Sequence, residues 1–138
     1  MTYSWITPIT NRTASSYYNY TDVNRVDNNI RYLEEYVNAN VGLVATLQTY
    51  ITQDNSKHGT SDLINLLESN INTVKEVLSY DPPTWVTLAE SWVGNDAFFY
   101  TDANNLEQNL ATLKYNFEQI FQSLRFCGTF QVGTDFNL

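Results

Sequence analysis

The feature that most constrains this chain is an internal repeat at a constant offset of 80 residues, which aligns residues 1–41 with residues 81–121 without a gap. The best-matching stretches are Trp5-Ile6-Thr7 with Trp85-Val86-Thr87, and Tyr18-Asn19-Tyr20-Thr21-Asp22-Val23-Asn24 with Phe98-Phe99-Tyr100-Thr101-Asp102-Ala103-Asn104. Because such a repeat uses one small structural unit twice, it predicts architecture before it predicts chemistry. With 138 residues, we expect a single domain. Its expected parts are 1–80 (first repeat with an extra helix), 81–125 (second repeat) and 126–138 (C-terminal arm).

Apolar residues that step by three and four along the chain predict a mainly α-helical bundle of three long helices. The stripes run from Val23 to Ile51, from Ile64 to Leu78 and from Ala103 to Leu124. The residues expected at the centre of the core are Val26, Ile30, Leu33, Leu106, Leu110 and Leu113. Thr21 or Asp22 and, in the second copy, Thr101 or Asp102 are the expected N-caps.

The lengths of the first two helices follow from the same pattern. The first would run for about 30 residues, or about 45 Å, and the unbroken stripe favours continuation through Gly42 over a break there. Asn40 would then be a buried residue that sets the register, whereas a bend near Gly42 would leave it in solvent. The second helix is expected from about Ser61 to Tyr80, where Asp81-Pro82-Pro83 stops it.

The last thirteen residues change their period. Phe126, Phe130, Val132, Phe136 and Leu138 all fall on even positions, a period of two that predicts a strand with one apolar face. Because a lone hairpin is marginal in water, this C-terminal β-like arm would either pack on the bundle or pair with another subunit. In the second case, removal of residues 126–138 would leave the helices folded but weaken assembly.

Composition indicates a surface made for contact with other subunits. Charged residues make up only 16% of the chain and aromatic residues 14%, so Tyr, Asn and Thr replace the usual Lys and Glu, as at interfaces. The residues expected to dock are Trp5, Trp85, Trp92, Phe130 and Phe136. A net charge of −8 argues against nucleic acid as a partner. Arg12, Arg25 and Arg31 are interpreted as a solvated face.

Residues that carry chemistry are few. His58 is the only histidine and Cys127 the only cysteine, so neither a zinc site nor an activated nucleophile is expected. Carboxylate pairs such as Glu34–Glu35, Asp22–Asp27 and Glu90–Asp96 occur in any acidic chain, and no phosphate, calcium or dinucleotide motif is present. We expect no enzymatic activity, no cofactor and no metal. Without a secretory signal or an apolar run of about 18 residues, we expect synthesis in a cytoplasm and no membrane span.

Two aromatic clusters, Tyr17-Tyr18-Asn19-Tyr20 and Phe98-Phe99-Tyr100, precede the first and third helices. Such clusters most often pack at the start of a helix, as a hydrophobic staple does. Contact with another subunit and stacking on a sugar ring are the alternatives. The second of these would make the chain a module that binds a host-surface glycan.

The first 35 residues or so resemble a module found in structural proteins of tailed bacteriophages and prophages of Gram-positive bacteria. The resemblance lies in Trp5 and Pro8, followed by Asn19-Tyr20-Thr21-Asp22-Val23-Asn24-Arg25 and then Asn29-Ile30-Arg31-Tyr32-Leu33. The second copy fits loosely, since Leu88 replaces Pro8 and Asn105 replaces Arg25. The resemblance implies a virion component of the tail, baseplate, neck or fibre-attachment region, made in the host cytoplasm, and it implies no catalytic residues. Such a subunit would self-associate as a homo-oligomer and dock to other virion proteins.

Overall fold

The computed structural model describes residues 1–16, 18–54, 61–94 and 96–132, with the side chains of the last range as far as Arg125. It contains three helices, α1 (Tyr20–Asn40), α2 (Ser61–Lys75) and α3 (Tyr100–Val132), which pack against one another. No strand occurs in these ranges, so the predicted mainly α-helical bundle is confirmed. Within the same ranges, no helix combines the length and the hydropathy needed to cross a membrane.

The core consists of one apolar stripe from each helix, and the three stripes follow the same spacing. Five positions in each stripe are buried. They are Val23, Val26, Ile30, Leu33 and Val37; then Ile64, Leu67, Ile71, Val74 and Leu78; then Ala103, Leu106, Leu110, Leu113 and Phe117. The three stripes follow the same steps of three and four, although Leu78 lies in the turn after α2 rather than in the helix.

An extended segment precedes each helix: segment 1 (residues 1–13), segment 2 (43–54) and segment 3 (85–93). Segment 2 buries Val44 and Leu47, and segment 3 buries Leu88. The fold is therefore three successive units of segment and helix. The helix expected as an extra element of the first repeat belongs to a unit of its own.

The prediction that Thr21 or Asp22 is the N-cap of α1 was wrong, because α1 begins at Tyr20 and the residue before it is the cap. Asn19 is the N-cap, and its Oδ1 accepts the Thr21 N–H at 2.9 Å. Asp22 lies at the third helical position and accepts the Asn19 N–H at 2.9 Å, which completes a capping box. Asp102 accepts the Phe99 N–H at 2.8 Å in the same way at α3.

The prediction that α1 continues through Gly42 was wrong, because α1 ends at Asn40 and the chain turns into segment 2. The N–H groups of Val41 and Gly42 both bond to the Val37 carbonyl, which closes the last turn. A Cβ at position 42 would lie 3.3 Å from Val77 Cγ1, so the chain passes close to the region after α2. Asn40 is half-buried at the last helical position, and its Nδ2 donates to the Tyr36 carbonyl at 2.9 Å.

The second helix is shorter than predicted, since α2 ends at Lys75 rather than near Tyr80. The N–H groups of Val77 and Leu78 bond three residues back, to Val74 and Lys75. This tighter turn keeps Leu78 buried while it redirects the chain toward Asp81 and the two prolines that follow.

The prediction of a β-like arm was wrong over residues 126–132, where the backbone continues α3 as far as Val132. Extending an existing helix forms one internal hydrogen bond per added residue, whereas a strand needs a partner for every bond. The alternation that suggested a strand spans too few residues to outweigh this difference. Residues 133–138, which include Phe136, lie outside the described ranges.

Candidate functional site

Each helix holds its own preceding segment through one buried asparagine. Asn29 of α1 accepts the Ile6 N–H at 2.9 Å with Oδ1 and donates from Nδ2 to the Ile6 carbonyl at 2.7 Å. The side-chain amide thus bonds both backbone groups of one residue, as a neighbouring strand would. The equivalent pairs are Asn70 with Gln48 (2.8 and 3.0 Å) and Asn109 with Val86 (3.0 and 2.8 Å). We refer to these paired bonds as clasps.

A second clasp joins each segment to the other helix beside it. Asn104 of α3 accepts the Arg12 N–H and donates to the Arg12 carbonyl, both at 3.1 Å. The equivalent pairs are Asn24 with Gln53 and Asn65 with Trp92, with all four bonds at 2.9 Å. Segment 1 therefore lies in a first groove between α3 and α1, segment 2 in a second groove between α1 and α2, and segment 3 in a third groove between α2 and α3.

The six clasp residues belong to one short pattern that occurs in every helix. An asparagine is followed three residues later by Asp or Glu and five residues later by a second asparagine. The three copies are Asn24-Arg25-Val26-Asp27-Asn28-Asn29, Asn65-Leu66-Leu67-Glu68-Ser69-Asn70 and Asn104-Asn105-Leu106-Glu107-Gln108-Asn109. The repeat at an offset of 80 matched the first and third copies. The second copy was missed because it shares neither the tryptophan nor the aromatic cluster of the other two.

The acid between the two asparagines binds differently in each groove. Glu107 is fully buried and accepts the Ile9 N–H at 3.1 Å as well as bonds from two arginines. Glu68 is also buried and accepts the Glu90 N–H at 2.9 Å and the Trp92 indole N–H at 2.8 Å. Asp27 pairs instead with Arg31 of its own helix, at 3.3 Å.

Two of the three arginines expected on a solvated face, Arg12 and Arg25, form a buried ion-pair cluster, so that prediction was wrong for them, while Arg31 pairs separately with Asp27. Arg12 is 7% exposed, donates to Asp22 Oδ1 at 2.8 Å and also bonds Glu107. Arg25 reaches Asp22 at 2.6 Å and Glu107 at 2.7 and 2.8 Å. The cluster ties segment 1 to both α1 and α3. The apolar stripes gave no warning of it, because Arg12 lies outside any helix and Glu107 lies 82 residues beyond Arg25.

The ionisation of this cluster follows from its contacts. Burial opposes the charge on Asp22, but hydrogen bonds from the Asn19 N–H and from two guanidinium groups outweigh it and hold the pKa of Asp22 below its usual value. The hydrogen bond to Glu107 raises the pKa of Arg25 despite burial. The site therefore contains two cations and two anions that stabilise one another.

Tyr18 covers the cluster. Its ring lies 5.1 Å from the Arg12 guanidinium carbon and 5.2 Å from the Phe98 ring centroid. Burial, and then the charge of Glu107, raises the pKa of Tyr18. Its hydroxyl is the buried side-chain polar atom without a hydrogen-bond partner in the part of the chain that the structure describes. Trp92 packs on the other side of Phe98 at 5.2 Å, so these rings form one continuous packed row.

The residues expected to dock lie in several places. Trp5 is half-buried against Tyr32 at 5.4 Å, with Lys114 Nζ 5.5 Å from its ring. Trp85 is half-buried under Lys75 Nζ at 5.6 Å. Phe130 belongs to α3, but its side chain is outside the described part, as are His58, Phe136 and the Cys127 side chain. In the described ranges, no group of three or more His, Cys, Asp or Glu is arranged to hold a metal ion.

Comparison of the chain with protein-family models, with curated proteins and with solved structures gave no match. The function therefore has to be argued from the clasps, the ion-pair cluster and the surface.

Proposed function

We propose that this protein is a structural subunit of a tailed bacteriophage particle, in the tail, baseplate, neck or fibre-attachment region, and that it acts by self-association and by docking to neighbouring virion proteins. The resemblance of its first 35 residues or so to such proteins supports the proposal. So does the use that the fold makes of the polar residues in that run, because Asn19, Asp22, Asn24, Arg25 and Asn29 all hold the chain's own backbone or ion pairs. They are used to build a rigid body.

The observation that carries the proposal is that the segments are held by buried polar side chains of the helices and expose large apolar side chains of their own. Buried Asn, Glu and Arg side chains hold the segments, while large apolar side chains of the same segments face outward. The exposed aliphatic ones are Met1, Ile6 and Ile9 of segment 1, Leu43 and Ile51 of segment 2, and Val93 of segment 3. Leu43 is 87% exposed. Apolar groups held rigidly at a surface are typical of subunit contacts.

The test is the solution mass, measured by light scattering over a range of protein concentrations. We expect a defined oligomer of the unmodified protein. Leu43→Glu and Ile51→Glu place a charge in the exposed apolar surface and should dissociate it. Thr46→Glu is the matched control, since Thr46 is exposed on the same segment but polar. A monomer at every concentration that also fails to bind any purified particle protein would refute the proposal.

The C-terminal residues provide a second test. A chain that ends at Arg125 lacks Phe130 and Phe136 but keeps all the core positions of α3 that the structure shows as buried. We expect its helical circular dichroism signal per residue and its unfolding midpoint to stay close to those of the full chain. Its oligomer should be weaker and should dissociate at a higher protein concentration than the oligomer of the full chain. Equal assembly of the two chains would remove the C-terminal region from the docking surface.

The alternative, glycan recognition by the aromatic clusters, has less support at those positions. Phe98 packs against both Tyr18 and Trp92 in tilted and edge-on arrangements, so these rings are used for contacts with one another. Phe99 and Tyr100 remain exposed and are available for contact with another subunit.

A further inference from the structure

A cleft of about 510 Å³ opens on the outer face of α1, between segment 1 and segment 2. This volume falls in the range of about 300–1,000 Å³ typical of small-molecule sites. The helix forms its floor with Asp27, Asn28, Arg31 and Glu34, and Tyr3 and Tyr50 stand on opposite segments beside it. One clasp residue, Asn24, lines the cleft, whereas no residue of the ion-pair cluster or of the aromatic row of Tyr18, Phe98 and Trp92 does.

The walls of the cleft are fixed by contacts within the chain. The Tyr50 hydroxyl bonds Asn24 Oδ1, which fixes the ring. Arg31 is held between Asp27 Oδ1 at 3.3 Å and the Gln48 carbonyl at 2.8 Å. The N–H groups of Thr2 and Tyr3 donate to Glu35 at 3.1 and 2.9 Å, which ties segment 1 to the helix. A site whose groups are already held loses little conformational entropy when a ligand binds.

Several polar atoms that face the cleft are not used in hydrogen bonds to the described residues. Glu34 forms no hydrogen bond or ion pair with the described residues. Asn28 uses Nδ2, toward the Ser4 carbonyl at 2.8 Å, and leaves Oδ1. Arg31 uses Nε and Nη2 and leaves Nη1. The cleft thus presents a carboxylate, an amide oxygen and a guanidinium N–H together, and the hydroxyls of Thr49 and Thr52 also line it.

We propose that this cleft binds a saccharide, and that the saccharide is a neutral or amino sugar. Neighbouring sugar hydroxyls are paired donors and acceptors that match planar carboxylate, amide and guanidinium groups, and the apolar face of a sugar ring packs on tyrosine. No aliphatic side chain lines the cleft, which disfavours an apolar ligand. The proposal does not depend on the structural role, because a rigid subunit can carry a sugar site whether or not it oligomerises.

The charges of the cleft set its selectivity. Three carboxylates line it, those of Asp27, Glu34 and Glu35, against the one guanidinium of Arg31. Hydrogen bonds from Tyr3 and Thr2 keep the pKa of Glu35 below its usual value, while burial raises that of Asp27 against the effect of Arg31. The excess negative charge repels uronic acids and sugar phosphates and attracts the ammonium group of glucosamine.

The test is titration of the full chain with glucosamine, with oligomers of N-acetylglucosamine and with glucuronic acid, followed by NMR chemical shifts. We expect saturable binding of at least one of the first two. The shifted amides should cluster near Tyr3, at positions 27–35 and at positions 49–52. Glucuronic acid should bind at least about tenfold more weakly, which corresponds to about 1.4 kcal/mol.

Paired variants assign the site. Tyr3→Ala and Glu34→Ala should weaken binding about tenfold or more. Tyr115→Ala and Glu76→Ala, which alter exposed residues elsewhere, should leave binding unchanged. The proposal is overturned by an absence of saturation up to about 50 mM sugar, by shifts that map to another surface, by equal binding of glucuronic acid, or by full binding in both cleft variants. A protein that binds sugar but stays monomeric and binds no purified particle protein would overturn the proposed function alone.

Discussion

The first and third grooves hold an extended segment by the same clasps but differ at the acid between them. In the first groove, Glu107 binds Arg12 from the segment and Arg25 from α1. In the third groove, the equivalent Glu68 receives the indole N–H of Trp92, which occupies the place of Arg12. Asn104 clasps Arg12 as Asn65 clasps Trp92, so the two side chains start from matching backbone positions.

The comparison shows that the clasps are common to both grooves, whereas the partner of the buried acid is particular to each. The clasps form hydrogen bonds only to backbone N–H and carbonyl groups, so a segment of almost any sequence can be held by them. The acid requires donors, and either a guanidinium or an indole with a backbone N–H satisfies it. The clasp geometry that the grooves share thus sets the position of the segments. The donor that binds the acid differs between grooves, and it sets how strongly the stability of each groove depends on charge.

The largest expected effect comes from Glu107→Gln compared with Glu68→Gln. The first leaves two buried guanidinium groups without a full counter-charge and should lower the free energy of unfolding by about 3–5 kcal/mol. The second keeps one acceptor oxygen but replaces the other with an NH2 group, so either the Trp92 indole or the Glu90 N–H loses its acceptor, and it should cost about 1–3 kcal/mol. Urea unfolding followed by circular dichroism measures both. Equal losses would mean that the arginines add nothing to the first groove that the indole does not add to the third.

The next prediction tests whether the clasps are equivalent. Asn29→Ala, Asn70→Ala and Asn109→Ala each remove two hydrogen bonds and leave one backbone N–H and one carbonyl of a segment without that partner. We expect each to cost about 2–4 kcal/mol, with the three values within about 1 kcal/mol of one another. The control is Asn116→Ala, because Asn116 bonds its own helix and the Tyr80 hydroxyl at the surface. A clasp variant as stable as that control would show that its segment is held by packing alone.

Much of this fold could be predicted from the sequence, and the exceptions have physical reasons. Fourteen of the fifteen buried stripe positions follow from steps of three and four, because a helix returns to the same face at that interval, and the fifteenth, Leu78, is buried from the turn after α2. The end of α1 did not follow, since Val44 and Leu47 continue the spacing but are buried from an extended chain. Spacing alone cannot tell a helix from a segment that reaches the same core by another path.

The candidate site was harder to predict than the core, because its partners are distant in sequence. Asp22 was predicted as an N-cap and lies instead at the third helical position of α1, and nothing local indicated that Arg12 and Glu107 would meet there, 95 residues apart. The clasp pattern is present in the sequence as an asparagine that is followed three residues later by Asp or Glu and five residues later by a second asparagine. It becomes informative only after all three copies are aligned, which requires the second unit to be recognised first.

The dependence of stability on pH should also distinguish the grooves. The pKa of Asp22 in the fold lies below its ordinary value of 3.8, so its contribution is present above that value and is lost as the pH falls through the lowered one. Asp22→Asn should therefore cost about 1–3 kcal/mol at neutral pH, and the difference from the unmodified protein should shrink steadily below about pH 4. Chemical unfolding at a series of pH values is the measurement.

Asp27 of the second groove is the internal contrast for this experiment. Burial raises its pKa above 3.8 although Arg31 opposes the shift, so the protonated form is the one that the fold favours. Its stabilising contribution is present at low pH and is lost as the pH rises through the raised value. Asp27→Asn should accordingly become more favourable, relative to the unmodified protein, as the pH increases. Parallel curves for Asp22→Asn and Asp27→Asn would contradict the assigned directions.

The smallest expected effect concerns the indole in the third groove. Trp92→Phe keeps an aromatic ring beside Phe98 but removes the N–H that Glu68 accepts at 2.8 Å. Trp85→Phe is the matched control, since Trp85 is also half-buried and its ring contacts Lys75 rather than a carboxylate. Because Glu68 keeps its bond from the Glu90 N–H, we expect Trp92→Phe to cost only about 1 kcal/mol more than the control. Thermal unfolding of both variants measures the difference. If Trp92→Phe is no worse than Trp85→Phe, the backbone N–H of Glu90 is enough to satisfy the buried carboxylate, and Trp92 holds the third groove by packing.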